Sequence, residues 1–216
     1  MGKDKGYYDI EADVEAILTS GGLIESVFYL NDLKQRKLFI NCDIDQVSIA
    51  DAVRHILQIN KEDREAESDD ANYSRKPILL YLVSNGGEID SGFELIDIIQ
   101  TSKTPVYTIN LGYQYSMGFL ISLAGHKRFA MPNAKYLMHD GSNFIYNSGA
   151  KAQDQMEFNK KVEERVKRYI LSHSKLTEEE YDSKLRVEWY MFADEAKEKG
   201  FVDYIIGEDC DINSVV

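Results

Sequence analysis

Ser116 stands where a strand-like run over residues 105–111 gives way, through Gly112-Tyr113-Gln114-Tyr115, to an apolar helical run beginning Met117-Gly118-Phe119-Leu120. A hydroxyl at such a junction lies beside unpaired backbone N–H groups and in the positive end of the helix dipole, which suits a nucleophile that passes through an oxyanion. The plainer reading of the same residue is a helix-capping serine. A nucleophilic serine needs a base, and the chain offers four histidines. His126 falls in a basic turn, His173 ends a long helix, and His55 reads as a partly exposed histidine on a helix with no second ligand four residues away. His139 differs: it closes the short strand Tyr136-Leu137-Met138 and precedes Asp140-Gly141, where a side chain leaves a sheet edge for a cleft. A satisfied strand-end histidine is its plainer alternative.

A second junction, Ser84-Asn85-Gly86-Gly87, ends the apolar run 78–83. Paired glycines leave backbone N–H groups uncovered by any Cβ, so these groups can approach a ligand oxygen; a tight turn alone is the simpler account. Gln114 stands two residues before Ser116, so the G-x-S-x-G pattern is absent. No Gly-Lys-Ser/Thr occurs, which excludes a P-loop nucleotide site.

The elements around these junctions alternate strand and helix. The run 78–83 (ILLYLV) is apolar on both faces, as in a central parallel strand covered by helices. Around it the patterning predicts strands over 37–41, 105–111, 127–130, 136–138 and 202–206, and helices over 9–19, 47–59, 89–102, from about 116, 151–173 and 193–199, with a short helix after the capping box at Thr177. This order predicts an α/β domain with a mainly parallel sheet. Residues 61–75 contain no Leu, Ile, Val, Met or Phe and six acidic side chains, which predicts a mobile surface loop. The end, 207–216, reads as frayed.

Composition limits the function classes. The chain has 216 residues, with 25 Lys+Arg against 37 Asp+Glu, a net charge of −12, and 44% hydrophobic residues. A single folded domain of this length buries roughly 70% of the surface its unfolded chain exposes, so disulfides and structural metals are dispensable. The acidic balance argues against a nucleic-acid surface. The apolar stretches 78–83 and 119–124 are far shorter than the ~20 residues of a membrane helix, and the N-terminal stretch lacks the apolar core of a secretory signal. Cys42 and Cys210 are far apart in sequence without CxxC spacing; Cys42 reads as a small buried hydrophobe and the pair as thiols of a reducing cytosol.

Taken together, Ser84 to Asp90, Gly112 to Gly125, Met131-Pro132-Asn133 leading to His139, Phe192-Ala193-Asp194-Glu195-Ala196 and Gly200-Phe201-Val202-Asp203 resemble, in content, order and spacing, the Clp protease proteolytic subunit family. The resemblance covers roughly residues 25–206. It implies a ClpP/crotonase-like α/β fold of repeated β-β-α units with a mainly parallel sheet and a protruding handle helix. The division it suggests is an N-terminal amphipathic segment (1–24), a peptidase domain (25–206) carrying an acidic surface insertion (61–75) and a handle (145–173), and a flexible acidic tail (207–216).

The same resemblance implies a cytoplasmic serine endopeptidase without metal or cofactor, in which Ser116 is the nucleophile, His139 the general base, and Gly86 and Met117 the oxyanion donors. The third member falls on Glu188, where the family usually has aspartate; Asp182 and Asp194 are the alternatives. Val187 and Trp189 replace basic residues that commonly flank the acid and contact the facing ring, and Gln114-Tyr115 are bulkier than usual, which implies a narrower substrate groove or an altered primary pocket. Leu79, Tyr81, Ile109, Leu111 and Met131 match an outward pocket that receives a docking loop, although Thr101 falls where an aromatic is common; ordinary strand core is the alternative. The implied partners are unfolded polypeptides, an AAA+ unfoldase, and further copies of the chain or a paralogue in stacked heptameric rings. A catalytically altered subunit of a mixed ring, an acyl-CoA enzyme of the crotonase fold and a lysine-dependent signal-peptide-peptidase relative are the competing readings. The pairing of Ser116-Met117-Gly118 with His139 argues against the last two.

Overall fold

The structure is a computed structural model that describes residues 24–141 and 148–215. The helix expected over 9–19 lies outside the described residues, as does the start of the expected handle. The chain divides into two compact units, Met1–Leu38 and Phe39–Val216. The described part of the first is a helix, Ile24–Lys34, and the start of strand β1 (Lys37–Ile40). The second unit carries the remaining elements.

Two sheets organise the larger unit. One has five strands in the order β1, β2 (Ile78–Leu82), β3 (Val106–Asn110), β5 (Lys127–Ala130) and β8 (Tyr204–Ile205), with parallel pairing from β2 to β8. Every residue of β2 is buried, as its two-sided apolar run requires. Strands β4 (Tyr113–Tyr115), β6 (Lys135–Met138) and β7 (Trp189–Phe192) form the second, smaller sheet, with β4 parallel and β7 antiparallel to β6. The mainly parallel α/β architecture agrees with the sequence pattern. Arg128 and Asp203 fasten β5 to the turn before β8: the guanidinium donates to both carboxylate oxygens and to the His173 carbonyl.

The segment 61–75 differs from its expected form. The helix Gln46–Asp69 runs straight through the predicted loop start, opened by a reciprocal cap in which Asp45 accepts from Ser48 N–H and Ser48 Oγ accepts from Asp45 N–H. Its buried residues Ile49, Ala52, Ile56, Ile59 and Asp63 keep the alternating three- and four-residue spacing of one helix face. The last position is a carboxylate, so a search for apolar residues stops one turn early. Asp63 is fully buried and accepts from Tyr73 Oη at 2.5 Å and Thr104 Oγ1 at 2.6 Å. Arg75 grips Glu67 through two hydrogen bonds and also donates to Thr104. Residues 61–75 are thus tied to the core by polar contacts.

Two smaller expectations also change. Cys42 is exposed beyond the end of β1. His55 is buried on the Gln46–Asp69 helix, and this burial pulls its imidazole below the ordinary value, with Asp51 pulling weakly the other way. Below a pH of about 6.5 the unfolded chain protonates this histidine more readily than the folded one. Stability is therefore full above that value and falls as pH drops toward the lowered folded pKa. His55→Leu is expected to lose less melting temperature than the parent between pH 7.0 and 5.5 in thermal melts; equal losses would show that His55 does not contribute.

Candidate active site

The smaller sheet gathers the chemistry. Ser116 follows β4, His139 follows β6, and Glu188 precedes β7, so all three lie at one edge of three adjacent strands. Backbone pairing fixes them there. Tyr115 is the partner of Leu137, and Ser116 N–H donates to Leu137 C=O at 3.0 Å. Met138 is the partner of Trp189, and because β6 and β7 are antiparallel the next position brings His139 opposite Glu188. The side chains meet: His139 Nδ1 and Glu188 Oε1 are 2.9 Å apart. The carboxylate is more than half exposed, and Tyr190 Oη donates weakly to its other oxygen at 3.4 Å.

The other ring nitrogen, His139 Nε2, is buried and has no hydrogen-bond partner among the described residues, Ser116 Oγ included. Serine–base bonds that are long or absent in a ligand-free site tighten when substrate binds. The two alternative acids are used elsewhere. Asp182 is ion-paired with Lys167 at 2.6 Å, and Asp194 lies in the first turn of the Ala193–Glu198 helix.

Ser116 has φ 52° and ψ −118°, a left-handed backbone that a residue with a Cβ adopts at a cost of about 1–3 kcal/mol. Three backbone bonds hold it: Ser116 N–H to Leu137, Tyr115 N–H to Ser84 at 2.9 Å, and Leu120 N–H to Ser116 at 3.2 Å. The sharp strand-to-helix turn lifts the serine out of regular pairing, as in a nucleophile elbow, although the sequence lacks that motif. It also leaves Ser116 with no side-chain cap bond to the Met117–Leu123 helix. The capping alternative is therefore not what the structure shows.

Gly86 sits against this turn. It has φ 105°, and a Cβ there would lie 2.7 Å from Ser116 Cβ and 2.9 Å from Met117 N, so only glycine allows the approach. The Ser84–Gln114 bridge sets the distance, with Ser84 N–H donating to Tyr113 at 3.1 Å. Gly86 N–H itself donates to Ser84 Oγ at 3.1 Å. Met117 is buried with its side chain over Gly92, where a Cβ would meet it at 2.3 Å; this packing pins the first residue of the helix.

Two residues flagged as bulky neighbours of the serine part company. Gln114 is buried and donates to Leu82 C=O, away from any groove, whereas Tyr115 packs against Tyr113 and edge-on against Tyr190 at 5.8 Å. Burial raises the Tyr115 phenol above its ordinary value. Sequence reasoning missed Tyr190, whose alternation with Glu188 along one strand was the available signal. Val187 is exposed, and Trp189 lies under Lys184 Nζ at 4.6 Å.

On the five-stranded sheet, Leu79, Tyr81 and Ile109 are buried in one apolar cluster with Met131 packed against it, while Leu111 is exposed. Register explains the grouping, since Leu79 pairs with Tyr107, and Tyr81 with Ile109. Segment 207–215 contributes to the same cluster. The expected frayed tail is folded back: Ile206 bridges to Cys210, Ile212–Ser214 form a 3-10 turn, and Val215 is buried.

Comparison with known proteins agrees with this geometry. The family model described as Clp protease matches residues 25–209. The proteolytic subunit 1 of the ATP-dependent Clp protease of Streptomyces avermitilis is 32% identical over 179 residues, covering 81% of this chain and 76% of that one. The corresponding subunit 2 of Treponema pallidum is 27% identical over 190 residues, covering 87% and 90%. With the family model spanning most of its length, and with a serine, a histidine and a carboxylate collected at one sheet edge, the chain belongs to the Clp protease family.

Proposed function

We propose that this serine protease cleaves unfolded polypeptides through an acyl-enzyme formed on Ser116. The observation that carries the reading is the His139–Glu188 bond, which leaves Nε2 of the same ring buried and without a partner among the described residues, at the end of the strand whose Leu137 carbonyl holds the strained Ser116 turn. Ser116 Oγ attacks the scissile carbonyl while His139 Nε2 takes its proton. The oxyanion accepts from Met117 N–H and from Gly86 N–H, which turns from Ser84 Oγ toward the developing charge. His139 then protonates the leaving amine, the C–N bond breaks, and a water deprotonated by His139 hydrolyses the ester. Glu188 holds the ring in the tautomer with hydrogen on Nδ1 and balances the imidazolium.

As a Clp proteolytic subunit the chain would work with a separate Clp ATPase in the cytoplasm, in stacked rings of seven copies. Among the described residues no helix is long and apolar enough to cross a membrane. A ring shared with a paralogue is favoured by one observation: Val187 is exposed where the family commonly has a basic ring contact, so a different facing residue is needed. Leu79, Tyr81, Ile109, Leu111 and Met131 would receive the ATPase.

A fluorophosphonate probe tests the site. The assembled particle is expected to lose fluoride from the probe and gain the phosphonyl group on Ser116 Oγ, found by peptide mass spectrometry, and His139→Ala should abolish the labelling. Labelling at another serine, or none with or without the ATPase, would remove the proposal.

A further inference from the structure

The apolar cluster on the five-stranded sheet is filled by the chain itself. Val215 is only 2% exposed, and its carbonyl accepts a hydrogen bond from Tyr81 Oη, 134 residues earlier. Ile206 and Cys210 pack into the same cluster. The covering segment also carries Glu208, Asp209 and Asp211, a composition that favours solvated chain rather than core.

Its anchors are few. Asp209 accepts from Ile205 N–H at 2.6 Å and pairs with Lys197 on the surface, and Asp211 caps the single 3-10 turn through Asn213 N–H at 2.8 Å. Ile212 is half exposed. Beyond Asp209, residues 210–215 are held to the rest of the chain by the buried Val215, the Tyr81 bond to its carbonyl, the partly buried Cys210 and the bond of its carbonyl to Gly207 N–H, which together oppose the entropy of ordering the segment. None of these contacts is covalent and only Val215 is fully buried, so a partner that offers the same contacts competes with the segment directly.

We propose that residues 210–215 are a built-in occupant of the Tyr81 cleft, displaced when an apolar peptide segment of a Clp ATPase docks there. The proposal rests on the reading of Leu79, Tyr81, Ile109, Leu111 and Met131 as the docking surface. It makes the chain's own segment a competitor that sets docking affinity. The chemistry of the competitor, a buried aliphatic side chain with an adjacent carbonyl facing Tyr81 Oη, describes what the partner must present.

Two altered chains test this, one ending at Asp209, which keeps the Lys197 pair, and full-length Val215→Asp. A fluorescein-labelled peptide with the sequence of residues 207–216 is expected to bind both at least tenfold more tightly than it binds the parent, by fluorescence polarisation. The Clp ATPase from the same organism should bind both at least fivefold more tightly than the parent. In the unaltered particle, hydrogen exchange at the Ser214 and Val215 amides, which are bonded within the turn, should quicken when the ATPase binds. Failure of the peptide to bind either altered chain overturns occupancy. Unchanged ATPase affinity, or unchanged amide protection in the complex, overturns displacement. Tyr81→Ala in the shortened chain separates the two readings: if ATPase binding is unaffected, the docking surface is elsewhere, whatever the peptide does.

Discussion

Alanine at Ser116 is expected to lower peptide hydrolysis by the assembled particle by about 10⁶-fold, the loss seen when a serine protease of another fold loses its nucleophile. The fold should hardly notice. Ser116 Oγ caps no N–H of the following helix, and the bonds that fix the turn all use backbone groups, which alanine retains. Alanine also has a Cβ, so it keeps the backbone strain of φ 52° and does not convert the loss of activity into a gain of stability. The check is paired: kcat on a fluorogenic peptide, and particle size by sedimentation. Retained hydrolysis with intact particles would mean that another group attacks the carbonyl. Lost hydrolysis with dissociated particles would mean that Ser116 serves assembly.

The five-stranded sheet was legible because its segments obey simple periodicities, whereas of the smaller sheet that holds the site only β6 was expected from the sequence, and β4 and β7 were not. ILLYL is buried at every position, and the order of Ser116, His139 and Glu188 along the chain becomes adjacency at one edge once β4, β6 and β7 pair. What sequence alone did not carry is backbone conformation and polar burial. Nothing in Gln114-Tyr115-Ser116 encodes a positive φ, since the strain is imposed by bonds to Leu137 and Ser84 far along the chain. Gln114 reads as bulk near a groove, yet the parallel register with Tyr136 turns it into the interior, where Leu82 C=O accepts from it.

Asp63 shows the same limit from the other side. A buried carboxylate in the last turns of an amphipathic helix reads as solvent-facing charge, because only Tyr73 and Thr104 reveal that the site is satisfied. The segment 207–215 reads as frayed for its acidic composition, and the single valine that buries itself beside Tyr81 carries too little hydrophobic signal to predict a docked chain. In both segments acidic composition points to solvent, and a long-range bond, from Thr104 to Asp63 and from Tyr81 to Val215, holds the chain against the core.

Glu188 is where this chain departs from the family's usual aspartate, and substitutions there should reveal how the longer acid works. The carboxylate meets His139 Nδ1 at 2.9 Å from a backbone position fixed by the Met138–Trp189 pair. Aspartate at 188 withdraws the oxygen by about one C–C bond, roughly 1.5 Å, beyond hydrogen-bond reach unless the strands move. In this frame the family's usual residue is the worse fit, so Glu188→Asp should impair the enzyme rather than improve it. Glu188→Gln keeps the length but removes the charge that balances the imidazolium, and a fully buried triad acid loses about 10⁴-fold on that change. Here the carboxylate is more than half exposed and shares its other oxygen with Tyr190, so water supplies part of the balance and the expected fall in kcat is about 10–10³-fold. The loss should appear in kcat with KM little changed if Glu188 acts on the base, as proposed, and not on the peptide. Steady-state kinetics of the Asp, Gln and Ala variants, with assembly confirmed for each, decide the matter: an alanine variant turning over at the parent rate would leave His139 without a third partner of consequence.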